Sequence, residues 1–177
     1  MWSIFLAAVL TDNVVLARLF GADPILGNRK MATALSLSGA VTLIMVLATA
    51  LAWPLYTYVL TVHDLSLLKV LAFMAIIVLV SAGVGRWFKG LGTVALMVNS
   101  AILGVTLQSA LDGLGFGAAL LQALGTGIGF LIVLAIFVGV QERLEIAPIP
   151  ESFKGAPITL VTAALLAIAF FGFNGIA

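Results

Sequence analysis

Two short stretches hold the residues of this chain that could do chemistry. In the first, Thr11-Asp12-Asn13 sets three polar residues inside an apolar run, and Asp12 is the only carboxylate deep within any such run. In the second, Asn99 and Ser100 interrupt another apolar run. A carboxylate at the centre of a bilayer costs roughly 2.5–3.5 kcal/mol on insertion scales, so it is normally paired, protonated or turned toward a wet cavity. Asp12 therefore reads as the cap of a helix that breaks there, as a cation or proton station, or as an exposed residue beyond a shorter span. Arg18, six residues on, lies on another helix face and is no automatic partner. Asn13 and Asn99 read either as satisfying backbone groups of broken helices or as interhelical hydrogen bonds worth about 1 kcal/mol. Asp23-Pro24 has the pattern of a helix start, Asp as N-cap and Pro at the first helical position, with an ion or ligand role as the alternative. Ser100 reads first as a hydroxyl bonded back to the carbonyl four residues earlier.

Other features carry less. There are no cysteines, which excludes disulfides, thiolate catalysis and cysteine-held metal on this chain alone. The single His63 has only Asp64 beside it and is expected in a loop at the outer face. Gly113 to Gly117 and Gly125 to Gly129 have GxxxG spacing, which predicts close helix packing. Gly125-Thr126-Gly127-Ile128-Gly129 lies within an apolar run with no strand before it, so it fails the context of a phosphate-binding loop. Gln141-Glu142-Arg143-Leu144-Glu145 and Lys154 are expected in a charged loop, either solvated or docking a partner.

The elements that must position these residues follow from composition. Of 177 residues, 63% are hydrophobic and 8% charged, and the mean hydropathy is +1.29. That leaves too little polar surface for a globule in water. A net charge of +1 provides no basic field for nucleic acid. Apolar runs at 2–20, 32–53, 65–84, 92–111, 117–140 and 158–175 are each long enough to span a bilayer. The first run begins almost at Met1 with no basic segment before it, so it reads as a span and not as a cleaved signal peptide. Trp53-Pro54 is expected to end the second run, with Tyr56 and Tyr58 at the aromatic belt. The runs do not alternate polar with apolar, so the spans are helices and not strands of a barrel. The predicted fold is an all-α integral membrane domain of six helices over residues 1–177.

Seven of the eight cations, Arg18, Arg29, Lys30, Arg86, Lys89, Arg143 and Lys154, sit at the end of, or after, odd-numbered spans, and only Lys69 lies on the other side. The positive-inside rule then places both termini outside. Three spans per half force two related halves to insert upside down relative to each other. Leu10-Thr11-Asp12-Asn13 and Leu96-Met97-Val98-Asn99 give a faint echo of such a repeat, with halves at 1–88 and 89–177.

The stretch Asp12-Asn13-Val14-Val15-Leu16-Ala17-Arg18-Leu19-Phe20-Gly21 through Gly27 resembles the first signature of the Rnf/Nqr small membrane subunits. Val98-Asn99-Ser100-Ala101-Ile102-Leu103-Gly104-Val105 resembles their fourth span. The fullest likeness runs from Gln141-Glu142-Arg143-Leu144-Glu145 through Pro150-Glu151-Ser152-Phe153-Lys154-Gly155-Ala156-Pro157, and on to Phe170-Phe171-Gly172-Phe173-Asn174-Gly175. The pattern is similar to the A subunit of the Rnf electron-transport complex and the E subunit of the sodium-pumping NADH:quinone reductase.

The resemblance implies a bacterial or archaeal inner-membrane subunit, one of two homologous six-helix subunits of opposite orientation. It implies that the first and fourth helices break near the midplane, and that each subunit gives two cysteines to a shared iron–sulfur cluster. This chain has Asp23 and Ser100 at those two cysteine positions, and neither is expected to ligate iron. The expected role is a non-catalytic subunit of a complex coupling ferredoxin- or NADH-linked electron transfer to sodium or proton movement. Asp12, Asn13 and Asn99 are its ion-path or broken-helix residues. It has no catalytic residues and no cofactor of its own, and any iron–sulfur cluster or flavin belongs to partner subunits. Besides those subunits its partners are membrane lipids. The alternative is a stand-alone or self-paired inverted-repeat transporter of a small cation or solute, with Asp12 at its centre. A third reading is an assembly subunit that only packs against a paralogue.

Overall fold

A computed structural model of the chain describes residues 31–63, 66–87 and 100–172, together with Phe5, Ala8 and Val9. Every regular element among these is helical. Helix α1 runs Met31–Leu55 and continues as a π-helical turn, Tyr56–Leu60. A short 3-10 turn, Ser66–Leu68, leads into α2, Lys69–Trp87. Helix α3 spans Ser100–Leu111 and α4 spans Phe116–Glu145. A second 3-10 turn, Glu151–Phe153, precedes α5, Ala156–Phe171.

Among the described residues, three stretches are long and apolar enough to cross a membrane: Ala34–Leu60, Lys69–Arg86 and Phe116–Glu145. They realise the second, third and fifth predicted runs. Helices α3 and α5 are apolar but shorter, at 12 and 16 residues. The first predicted span lies outside the described residues, apart from Phe5, Ala8 and Val9.

Helix α4 makes its most extensive packing against α1, and the two run antiparallel. A Cβ built on Gly139 would lie 3.8 Å from Met31, and one built on Gly127 would overlap Thr42. At the far end Trp53 meets Phe116, with ring centroids 5.4 Å apart. Helix α2 is set beside α1 by Tyr56 and Phe73, at 6.2 Å. The inward residues of α2, Phe73, Ile77, Val80 and Val84, recur every three or four positions, the period of one helix face. Its opposite face exposes Leu71, Met74, Val78 and Leu79. An apolar outer face suits a helix whose solvent is lipid. The core joins α1, α2, α3 and α4 around Ile44, Met45, Ile102 and Phe130.

Several buried or half-buried hydroxyls are satisfied within their own helices. Thr42 donates to the Ser38 carbonyl at 2.7 Å, Thr106 to Ile102 at 3.1 Å and Thr126 to Gln122 at 2.9 Å. Back-bonding of this kind lets a hydroxyl sit in an apolar bundle.

The structure corrects the sequence reading at three places. Helix α1 does not end at Trp53-Pro54. Pro54 lies inside it, and the chain goes on through a π turn in which the Thr61 N–H reaches the Tyr56 carbonyl at 3.0 Å. Proline removes one helical hydrogen bond and crowds the carbonyl four residues back, and a widened turn is one way for a helix to continue past it. Second, Gly113 is not a helix-packing residue. It takes φ +61° just beyond α3, and the Leu114 N–H donates to the Ser109 carbonyl at 3.3 Å, closing a left-handed helix end that favours glycine. Third, Gln141 to Glu145 is not loop but the last turn of α4, with Gln141 buried.

Candidate functional site

Of the candidate residues, only Ser100 lies within the described part of the chain. Asp12, Asn13, Asp23 and Asn99 all fall outside it. Ser100 is the first residue of α3 and is exposed, while the next two residues, Ala101 and Ile102, are fully buried against α1. The buried start of α3 holds Ser100 at the rim of the core.

An iron–sulfur cluster is the group that the resemblance implies for this position. Clusters are held by thiolates, and the chain has none. The hydroxyl of Ser100 and the carboxylate of Asp23 are hard oxygen donors. They do not fit a thiolate-ligated cluster.

Thr49 and Gln122 escaped the sequence reading, as did the burial of Gln141. Thr49 Oγ1, Gln122 Oε1 and Gln141 Nε2 are buried and have no hydrogen-bond partner among the described residues. The antiparallel register puts Thr49 and Gln122 within about one helical turn of each other along the α1–α4 seam. Both are acceptors able to take a hydrogen bond from water. In the sequence Thr49 and Gln122 are isolated polar residues within apolar runs, which does not distinguish them from the back-bonded threonines of the same runs.

Gln141 lines a pocket of about 230 Å³ with Leu144, Glu145, Ala147, Ile149, Lys154, Gly155 and Ile158. Arg86, Arg143 and Lys154 gather at this end of the bundle, where Met31 meets Gly139. Lys69 and the exposed His63 lie at the opposite end, near the aromatic group of Trp53, Tyr58 and Phe116. The described cations therefore divide between the two ends as the sequence arithmetic expects. At the aromatic end the Trp53 indole N–H donates to the Leu114 carbonyl at 2.7 Å, tying α1 to the α3–α4 turn.

A bundle of apolar helices with cations at one end and an aromatic girdle at the other is an integral membrane protein. The chain belongs to the family described as Rnf-Nqr subunit, membrane protein, which it matches over residues 1–177. Similar curated proteins are named as the A subunit of the ion-translocating oxidoreductase complex. The one from Syntrophotalea carbinolica is 39% identical over 98% of this chain and 95% of its own length. Those from Azoarcus sp. (strain BH72) and Shigella sonnei are 34% and 33% identical, each over 98% of this chain and 95% of its own length.

Proposed function

We propose that the chain is a membrane subunit of an ion-translocating oxidoreductase complex of the Rnf/Nqr kind. The observation that carries this reading is likeness over nearly the whole chain to proteins named as the A subunit of such a complex. On this reading the chain is one six-span unit of two inverted three-helix repeats, 1–88 and 89–177, with its first and fourth helices broken near the midplane. Its partners are a homologous six-helix subunit of opposite orientation and the redox subunits of the complex. The cationic end of the bundle faces the cytoplasm, both termini lie outside, and the membrane is the inner membrane of a bacterial or archaeal cell.

Asp12, Asn13 and Asn99 line the seam between the halves and serve the ion path. Asp23 and Ser100 stand where the family places cluster cysteines and hold no iron. Electrons that cross the membrane here do so on cofactors of partner subunits.

Purification of the tagged chain from its native membrane in mild detergent tests the reading. A homologous six-helix partner, together with flavin- or iron-bearing subunits visible in the absorption spectrum, is the expected result. A colourless homo-oligomer without redox companions would contradict it.

A further inference from the structure

The pocket at the end of α4 assembles hydrogen-bond donors around one space. Gln141 lines it, is 8% exposed, and has an amide nitrogen without a partner among the described residues. Lys154 brings an ammonium group to the same wall. The N-terminus of α5 adds backbone N–H groups. Gly155, at φ +86°, is its N-cap and offers no side-chain acceptor, so the first-turn amides of Ala156 and Ile158 have no cap. Such a helix end favours anions, and the 16 residues of α5 give it a full dipole. The opposing end of α4 is partly neutralised. Its Leu144 carbonyl already accepts from the Ile146 and Ala147 N–H groups. Glu145 supplies the one carboxylate of the wall.

The position of the pocket narrows its ligand. It lies where α4 passes from its apolar span into Glu142, Arg143 and Glu145, the depth at which lipid headgroups sit. Ile158 lines it, and Val161, Leu165 and Ile168 continue from Ile158 along one face of α5, all three exposed. An apolar track thus descends from the donor cluster into the hydrocarbon region.

We propose that this pocket is a phosphate-binding site, held by Gln141 Nε2, Lys154 Nζ and the α5 N-terminus. Its ligand is the phosphate of a phospholipid, with the acyl chains on the Val161–Leu165–Ile168 face, or free phosphate. The amide and the helix end fix the oxyanion, and Lys154 supplies the charge.

The test uses the full-length chain in neutral detergent, with three probes in turn: inorganic phosphate, phosphatidylglycerol, and a diacylglycerol with the same chains. Native mass spectrometry counts bound molecules, and thermal melting gives an independent reading of affinity. Retention of phosphatidylglycerol but not diacylglycerol is expected, weakened about tenfold by Lys154→Met and again by Gln141→Leu. Phosphate that competes with the lipid shows that the site reads the phosphate group alone. Phosphate that binds while the lipid does not assigns the site to the free ion. Lys154→Met lies on the exposed surface and serves as the folding-neutral variant. Equal retention of diacylglycerol, retention unchanged in both variants, or binding of neither phosphate-bearing probe would overturn the proposal.

Discussion

Thr42 and Gly127 face each other where α1 and α4 come closest. A Cβ on Gly127 would lie 2.8 Å from Thr42 Oγ1 and 2.9 Å from its Cβ, well inside van der Waals contact. Thr42 cannot readily swing aside, because its hydroxyl is bonded to the Ser38 carbonyl at 2.7 Å. Close approach through small residues is how membrane helices gain packing energy when lipid is as apolar as the core.

Gly127→Ala is expected to destabilise the chain by about 1–3 kcal/mol, the cost of overpacking. Thr42→Ala removes the two nearest atoms and should recover part of that loss. A double-mutant cycle on unfolding in detergent measures the coupling. Strict additivity would mean that the two residues do not meet.

Trp53 ties the α1 end to the α3–α4 turn through its 2.7 Å bond to Leu114. Trp53→Phe keeps a ring beside Tyr58 and Phe116 but removes the donor, and should cost about 1 kcal/mol. Trp53→Ala also removes the ring contacts and should cost about 3 kcal/mol. Equal losses in the two variants would assign the stabilisation to the hydrogen bond alone.

Thr49 is 1% exposed and its hydroxyl has no partner among the described residues. An unsatisfied buried hydroxyl costs about 1–3 kcal/mol, so the isosteric Thr49→Val should raise stability by about 1 kcal/mol. The melting temperature in detergent reads this directly. A fall would mean that the hydroxyl is satisfied, by water or by a residue outside the described set.

The iron content of the purified single chain should be nil, because Asp23 and Ser100 cannot replace thiolates on a cluster. Elemental analysis checks this, and stoichiometric iron would overturn the assignment of both positions.

The sequence makes the second, third and fifth runs legible as spanning helices because a bilayer admits few solutions. Long apolar runs must be helices, and cations mark their ends. Its punctuation is less reliable. Pro54 looks like a terminus, yet the helix runs through it on a widened turn. Gly113 and Gly127 both look like packing glycines, but one closes a helix end and the other meets Thr42. Spacing cannot separate these roles, since both need a residue without a side chain. Gln141 looks like the start of a solvated loop because charges follow it, but its own face of α4 continues the buried row of Leu134 and Val138. The resemblance supplies the assignments of Asp23 and Ser100, which composition alone does not reach.

Donor-driven ion uptake in native vesicles shows whether the chain serves redox-driven ion movement. Sealed vesicles from the native membrane are supplied with NADH or reduced ferredoxin, and sodium and proton uptake are recorded with and without the chain. Uptake is expected to disappear on deletion, to return with the wild-type chain, and not to return with Asp12→Asn despite normal assembly. Donor-driven uptake that is unchanged after deletion would contradict it.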